Sequence, residues 1–307
     1  MPTWIDVHAH FTPPTTPEQR HELWLAQRAA DFLAPEPYEW TPHRALAAME
    51  ANGIATQLLS YVPQSHEAIR TGNDYGATLS RRDPDRFRLL TALPTDDPRA
   101  CLAEIGRSGD LGAAGFAVST TYRGVPLGDP RLDAVWGELD RRRAAVFVHP
   151  DTSIPSRMGV ATPLIEVTFE TTRVVLDMLY RRVFLRFPHI RFVLAHCGGA
   201  LPALSGRIAL IGTRSWVRNE AAVSSEELLE QMSGLYLDTA ASGTGANLAA
   251  ALEMTTHQHL VYGGDSGVPC TDDNSVADNL AALHKSVHLS GPQLDEVAAR
   301  AGELFQG

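Results

Sequence analysis

The sequence has little cysteine, no excess of positive charge and no long apolar run. Its three cysteines are an odd number and lie far apart, so we expect no disulfide scaffold and a cytoplasmic location. Lys and Arg number 26 against 36 Asp and Glu, a net charge of −10, and no basic cluster stands out. Nucleic acids and anionic membrane surfaces require a basic patch, so neither is an expected partner.

The first residues contain neither the basic nor the apolar segment of a secretory signal, and no apolar run is long enough to span a membrane. Hydrophobic residues make up 44% of the chain and charged residues 20%, which is typical of a globular protein with a sizeable core. A length of 307 residues suits either one large barrel or two ordinary domains.

Short apolar segments alternate with helical ones along the whole chain. The candidate strands are residues 4–8, 54–61, 87–93, 112–118, 144–149, 190–196, 235–239 and 260–264. Several are continuously apolar, as parallel strands covered by helices are. The pattern predicts a single (β/α)₈ TIM barrel, one domain over residues 1–307. A doubly wound sheet is the alternative, but it usually needs an early glycine-rich phosphate loop, which this sequence lacks.

The segment between the first two candidate strands, residues 11–53, is atypical because it is rich in proline and aromatic residues. One interpretation is a surface excursion with its own small core. The other is a helical cap-like insertion over the mouth of the barrel, where the loops of this fold build the site.

Five side chains that can bind a metal lie at the ends of the candidate strands: His8, His10, His149, His196 and Asp265. His8 and His10 are two residues apart on one strand, so their rings share a face. The carboxyl ends of barrel strands converge, and we therefore expect one metal site there.

The other histidines show how often such patterns arise without a metal site. Random placement of 12 histidines gives roughly 0.5 His-x-His pairs, so one pair is unremarkable by itself. His257-Gln258-His259 is a second pair in this chain. That pair opens the last candidate strand, at the opposite end of the barrel. His284 and His288 have helical i, i+4 spacing, for which an exposed helix face is the simplest explanation.

Three imidazoles and one carboxylate suit a borderline divalent ion, Zn²⁺ first, with Mn²⁺ as the alternative because the carboxylate hardens the site. Such a ligand set leaves a coordination position for water or substrate. Asp265 is placed both to bind the metal and to move a proton. His196 is the candidate histidine beside the metal-bound water.

Four motifs carry a resemblance to a known family. They are Ile-Asp-Val-His-Ala-His-Phe at residues 5–11, Val-His-Pro at 148–150, Ala-His-Cys-Gly-Gly-Ala-Leu-Pro at 195–202 and Tyr-Gly-Gly-Asp at 262–265. The chain resembles the amidohydrolase superfamily over essentially its whole length. It is most similar to the branch of aminocarboxymuconate-semialdehyde, γ-resorcylate and 6-methylsalicylate decarboxylases.

The resemblance implies that His8, His10, His149 and Asp265 bind a divalent metal and that His196 contacts bound water or substrate. It implies non-oxidative decarboxylation of a hydroxylated aromatic or muconate-like carboxylic acid, with no organic cofactor. It also implies a homodimer or homotetramer whose partner is a small-molecule carboxylate. Two other functions stay open: a metal-dependent hydrolase or hydratase, and a non-catalytic barrel that binds a small carboxylate.

One stretch departs from the family pattern. Gly-Ser/Thr-Asp-x-Pro is common at the eighth strand, whereas residues 263–270 read Gly-Gly-Asp-Ser-Gly-Val-Pro-Cys. The aspartate is kept, but the loop after it is longer and borders the expected pocket. We also expect Trp24, Trp40 and Tyr122 to help line an aromatic substrate pocket.

Overall fold

The computed structural model describes residues 3–306. Eight parallel strands pair in chain order: β1 Trp4–His10, β2 Ile54–Ser60, β3 Phe87–Ala92, β4 Gly115–Ser119, β5 Ala145–His149, β6 Arg191–Leu194, β7 Tyr236–Asp238 and β8 Leu260–Val261. The N–H of Val7 in β1 donates to the carbonyl of Tyr262, directly after β8, at 3.0 Å. This bond connects the last strand to the first, and the predicted (β/α)₈ barrel is confirmed.

The helices lie between the strands or, for the last two, after β8: α1 Pro17–Ala29, α2 Pro42–Asn52, α3 His66–Arg82, α4 Pro98–Leu111, α5 Asp133–Arg141, α6 Glu166–Tyr180, α7 Val183–Arg186, α8 Leu201–Ile211, α9 Ser225–Ser233, α10 Gly245–Met254, α11 Asp273–His284 and α12 Gly291–Leu304. Among residues 3–306, no helix is both long and apolar enough to cross a membrane.

All eight candidate strands exist, but their limits differ from the prediction by one to three residues. Gly112 caps α4 in the left-handed region, at φ 65°, so β4 starts only at Gly115. β6 ends at Leu194, two residues before His196, and β8 ends at Val261, four residues before Asp265. Both of these site residues have a positive φ, which an extended strand does not allow.

Two apolar layers hold the barrel together. Side chains inside the barrel include Leu58, Leu90 and Phe147, all fully buried. Phe305, just after α12, belongs to this inner cluster and packs so closely on β4 that a Cβ on Gly115 would lie 2.5 Å from its ring. The larger cluster joins the outer faces of the strands to the surrounding helices. The carboxyl ends of the strands remain for the loops that form the site.

The segment between β1 and β2 contains two different helices. α2 buries Met49 and packs on β2, as the helices of a barrel do. α1 buries none of its residues. Thr16 starts α1 with a capping box, in which its hydroxyl accepts from the N–H of Gln19 while the Gln19 amide oxygen accepts from the N–H of Thr16.

Candidate metal centre

Four of the predicted metal ligands lie together at the carboxyl ends of the strands. One ligand atom from each of His8, His10, His149 and Asp265 lies within 4.8 Å of the others. His10 and His149 are the last residues of β1 and β5. The pairing of β1 with β2 shifts register between Asp6 and Ala9, and such bulges redirect side chains at functional sites.

The carboxylate of Asp265 connects the imidazoles. Its Oδ1 lies 3.1 Å from Nε2 of His8 and 3.3 Å from Nε2 of His10, and these two nitrogens are 3.0 Å apart. Nδ1 of His149 lies 2.9 Å from the carbonyl oxygen of Pro150, to which it donates as the N–H tautomer. This bond leaves Nε2 of His149 with a free lone pair.

His196 joins this group from the turn after β6. Its Nε2 lies 3.5 Å from Oδ2 of Asp265, and its ring centre is 5.0 Å from that of His8. Nδ1 of His196 is buried and has no hydrogen-bond partner among residues 3–306. His196 and Asp265 have φ values of 53° and 54°, an uncommon conformation for residues other than glycine that clusters at functional sites.

Asp238 is a site residue that the sequence analysis missed. It is the last residue of β7 and is fully buried. Nδ1 of His8 donates to its Oδ2 at 2.7 Å, and its Oδ1 accepts from the N–H of Ala240 at 3.0 Å. The carboxylate therefore fixes the ring of His8 with Nε2 towards the site. Its position near the end of candidate strand 235–239 was the available signal.

The charges of the site favour a cation. Burial lowers the pKa of His10, and that of His149 well below its usual value, so both imidazoles are neutral. Burial opposes protonation of His8, but the charges of Asp265 and Asp238 outweigh it and raise its pKa to about 10. Burial would raise the pKa of Asp265, yet His8 and the neighbouring rings hold it well below its usual value. A positive charge is thus stabilised between two carboxylates. A divalent metal bound there would take the place of the proton on His8, because an imidazole binds a metal only when it is neutral.

The site opens into a cavity of about 660 Å³. His10, His149, His196 and Asp265 form part of its wall. Most of the other contributions come from α1, from the segments after β1, β2 and β5, and from residues 267–271. Aromatic side chains on the wall are Phe11, Phe32, Tyr38 and Tyr61.

The three aromatic residues expected to line a pocket are not on this wall within residues 3–306. Tyr122 is fully buried and its hydroxyl donates to the carbonyl of Pro63. The indole N–H of Trp24 donates to the carbonyl of Ala34, and Trp40 packs edge-on against Phe11. The polar atoms of Tyr122 and Trp24 therefore have hydrogen-bond partners within the fold, and Trp40 packs against a neighbouring ring.

The background histidines lie away from the metal centre. His257 and His259 form a short 3₁₀ turn directly before β8, at the amino end of the strand. The prediction that His284 and His288 lie on one helix was wrong, because α11 ends at His284 and His288 lies outside it. Both residues are exposed, as expected.

The loop after β8 is anchored to β1. The N–H of His10 donates to the carbonyl of Ser266 at 2.8 Å. Gly267 has φ 89°, and a Cβ there would lie 2.0 Å from the carbonyl oxygen of His10. The hydroxyl of Thr271 donates to Oδ2 of Asp265 at 3.0 Å. The unusual residues of this loop therefore both line the cavity and contact the metal centre.

A parallel barrel with convergent imidazoles and a carboxylate at its strand ends defines a class of metal-site barrel proteins. Within that class, this chain belongs to the amidohydrolase family, whose model matches residues 5–296. The decarboxylase yanB of Aspergillus niger is 30% identical over 288 residues, 85% of this chain and 76% of that protein. The 6-methylsalicylic acid decarboxylase of Penicillium expansum is 27% identical over 85% of this chain and 84% of its own.

A solved structure gives the same fold. The dihydroxybenzoic acid decarboxylase of Polaromonas, with bound manganese and the inhibitor 2-nitroresorcinol, matches with a TM-score of 0.80 at 20% identity. The match covers 99% of this chain and 97% of that one. The predicted membership of the amidohydrolase superfamily and of its decarboxylase branch is confirmed.

Proposed function

We propose that this protein is a metal-dependent, non-oxidative decarboxylase of a hydroxylated aromatic or muconate-like carboxylic acid. The observation that carries the proposal is the convergence of His8, His10, His149 and Asp265, with His196 beside them, next to a cavity large enough for an aromatic ring. The named relatives are decarboxylases, which favours this function over a hydrolase, a hydratase or a non-catalytic barrel.

The metal ligands in this proposal are His8, His10, His149 and Asp265, and the ion is Zn²⁺ or Mn²⁺. Neutral imidazoles suit Zn²⁺, while the carboxylate and the manganese bound in the Polaromonas enzyme favour Mn²⁺. The bound ion would supply positive charge for the substrate carboxylate and a neighbouring oxygen.

In this proposal Asp265 and His196 pass a proton from solvent to the substrate, and the lowered pKa of Asp265 keeps its carboxylate ionised until it accepts that proton. The reaction breaks the bond between the ring and the carboxylate carbon, and its electron pair stays on the ring. A proton is added to that ring carbon, and CO₂ leaves. Because Nε2 of His196 and Oδ2 of Asp265 are 3.5 Å apart on the cavity wall, the pair is placed to deliver this proton.

The part of segment 11–53 that acts as a cap in this proposal is α1 with the turn that follows it. Gln19, Leu23, Gln27 and Phe32 lie on the cavity wall, although α1 buries no residue in the barrel core. A helix in this position excludes water from the site while substrate is bound. We also propose a cytoplasmic homodimer or homotetramer, to be tested by light scattering and by localisation of a tagged chain.

A screen of ortho-hydroxy aromatic acids tests the function directly. Purified protein, stripped of metal and then loaded with Zn²⁺ or Mn²⁺, is incubated with salicylates, resorcylates and muconate-like acids. We expect CO₂ and the corresponding phenol, in proportion to bound metal. Ring opening of a lactone without CO₂ release would instead establish the hydrolase, and absence of stoichiometric divalent metal would contradict every metal-dependent function.

A further inference from the structure

The cavity is larger than one substituted benzene ring requires. Its volume of about 660 Å³ lies well within the range of roughly 300–1,000 Å³ that holds drug-sized ligands. The metal centre occupies only one part of the wall, and the rest extends past Tyr61 and Val62 to α1 and to the segment before α6. A simple hydroxybenzoate held at the metal would leave much of this wall without a contact.

The outer wall of the cavity is apolar and exposed. Leu23 on α1 and Leu164 before α6 both line the cavity, with 59% and 75% of their surface exposed. They come from two separate segments, and Phe32 and Val167 also line the cavity. Exposed leucines are ordinary when they are scattered, but two at the mouth of one cavity indicate an apolar ligand.

The described part of the outer wall has no unpaired positive charge that could bind a second anionic group. Arg20 is the one Lys or Arg on the wall among residues 3–306. Its guanidinium lies 3.0 Å from the carboxylate of Glu39, which neutralises it. Asp151, the second carboxylate on the wall, accepts from the N–H and hydroxyl of Ser153. An anionic group of the substrate therefore belongs at the metal centre, and the rest of the wall does not favour a second anionic group.

We infer that the substrate is a hydroxybenzoic acid with a long, uncharged apolar substituent, and that Leu23 and Leu164 determine this specificity. The inference rests on the proposed function and assigns a substrate class to the same site. The carboxylate and hydroxyl are held at the metal centre, while the substituent extends along Phe32, Leu164 and Leu23 to the mouth. Burial of each methylene by this wall increases affinity by up to about fourfold.

A series of 6-alkylsalicylates tests the inference in the metal-loaded enzyme. We expect kcat/KM to rise by about two- to fourfold per methylene from methyl to pentyl. The variants Leu23→Asn and Leu164→Asn should each reduce the pentyl-to-methyl ratio by at least about threefold. Leu25→Asn is the matched control, because Leu25 is on the same helix and 50% exposed but does not line the cavity. Its pentyl-to-methyl ratio should equal that of the unaltered protein.

Calorimetric binding of 3-alkylphenols, the products of this series, separates the inference from the reaction. Chain-length-dependent binding without decarboxylation would support the apolar substituent and contradict the proposed reaction. Turnover that is equal for methyl and pentyl acids would support the reaction and overturn the inference. A change in oligomeric mass of Leu23→Asn or Leu164→Asn, with the ratio unaltered, would also overturn it, because the leucines would then belong to an interface between copies.

Discussion

Asp265 makes polar contacts to three of the four imidazoles of the metal centre. Oδ1 faces His8 and His10, while Oδ2 faces His196 and accepts from the hydroxyl of Thr271. Asp265→Asn keeps the shape of the side chain but removes its negative charge and its capacity to carry the proton. We expect catalytic activity to fall by at least about 100-fold, with a smaller loss of bound metal. Turnover and metal content, measured on the same preparation, check this difference.

His8 and His149 are expected to act mainly through the metal. His8→Ala or His149→Ala removes one ligand atom, so each variant should lose bound metal and activity together while keeping a folded barrel. Elemental analysis and circular dichroism measure the two properties. His257→Ala is the control at the amino end of β8, where no effect is expected. Loss of metal in that variant would show that the metal binds at the amino end of the barrel and not at the carboxyl ends of the strands.

Asp238 is a positioning residue for His8. Asp238→Asn retains an acceptor for the N–H of Ala240 but removes the charge that orients His8. Outer carboxylates of this kind typically contribute about 10- to 100-fold to metal affinity. We therefore expect Asp238→Asn to bind metal about 10- to 100-fold more weakly in a chelator competition assay. Excess metal should partly restore its activity. Unchanged metal affinity would leave Asp238 with a structural role alone.

At the scale of the elements, the loops carry the constraints that hold the site. Gly267 combines φ 89° with close approach to the carbonyl of His10, whereas Gly124 has φ 81° and open space around its Cα. Gly124→Ala should therefore cost about 1–2 kcal/mol of unfolding free energy. Gly267→Ala should cost a further ~1–3 kcal/mol because the added methyl group displaces the loop. Urea unfolding measures both, and equal losses would contradict the contact with His10.

The strands were predictable because burial on both faces leaves continuous apolar runs, as in β4. His8, His10 and His149 were found for the same reason, since each lies at or near a strand end. Asp238 was missed because its role depends on a contact 230 residues away in the chain. Trp24 and Tyr122 were expected on the cavity wall, but aromatic content does not show which way a ring points. Loop conformation depends on such distant contacts.

At the scale of the whole molecule, the barrel and the metal centre are expected to stabilise each other. The ligands come from β1, β5 and the loop after β8, so a metal bound to them joins elements that separate on unfolding. A ligand that binds only the folded state at 100 times its Kd adds about 2.7 kcal/mol of stability.

Removal of metal should therefore lower the melting temperature by about 5 °C in a chain of this size. Calorimetry with and without a chelator measures this shift, and restoring Zn²⁺ or Mn²⁺ should reverse it. His149→Ala should melt at the same temperature in both conditions, because it has lost a ligand. A chelator-dependent shift as large in His149→Ala as in the unaltered protein would show that the stabilising metal is bound elsewhere. The shift therefore tests whether one site serves both the stability of the barrel and its chemistry.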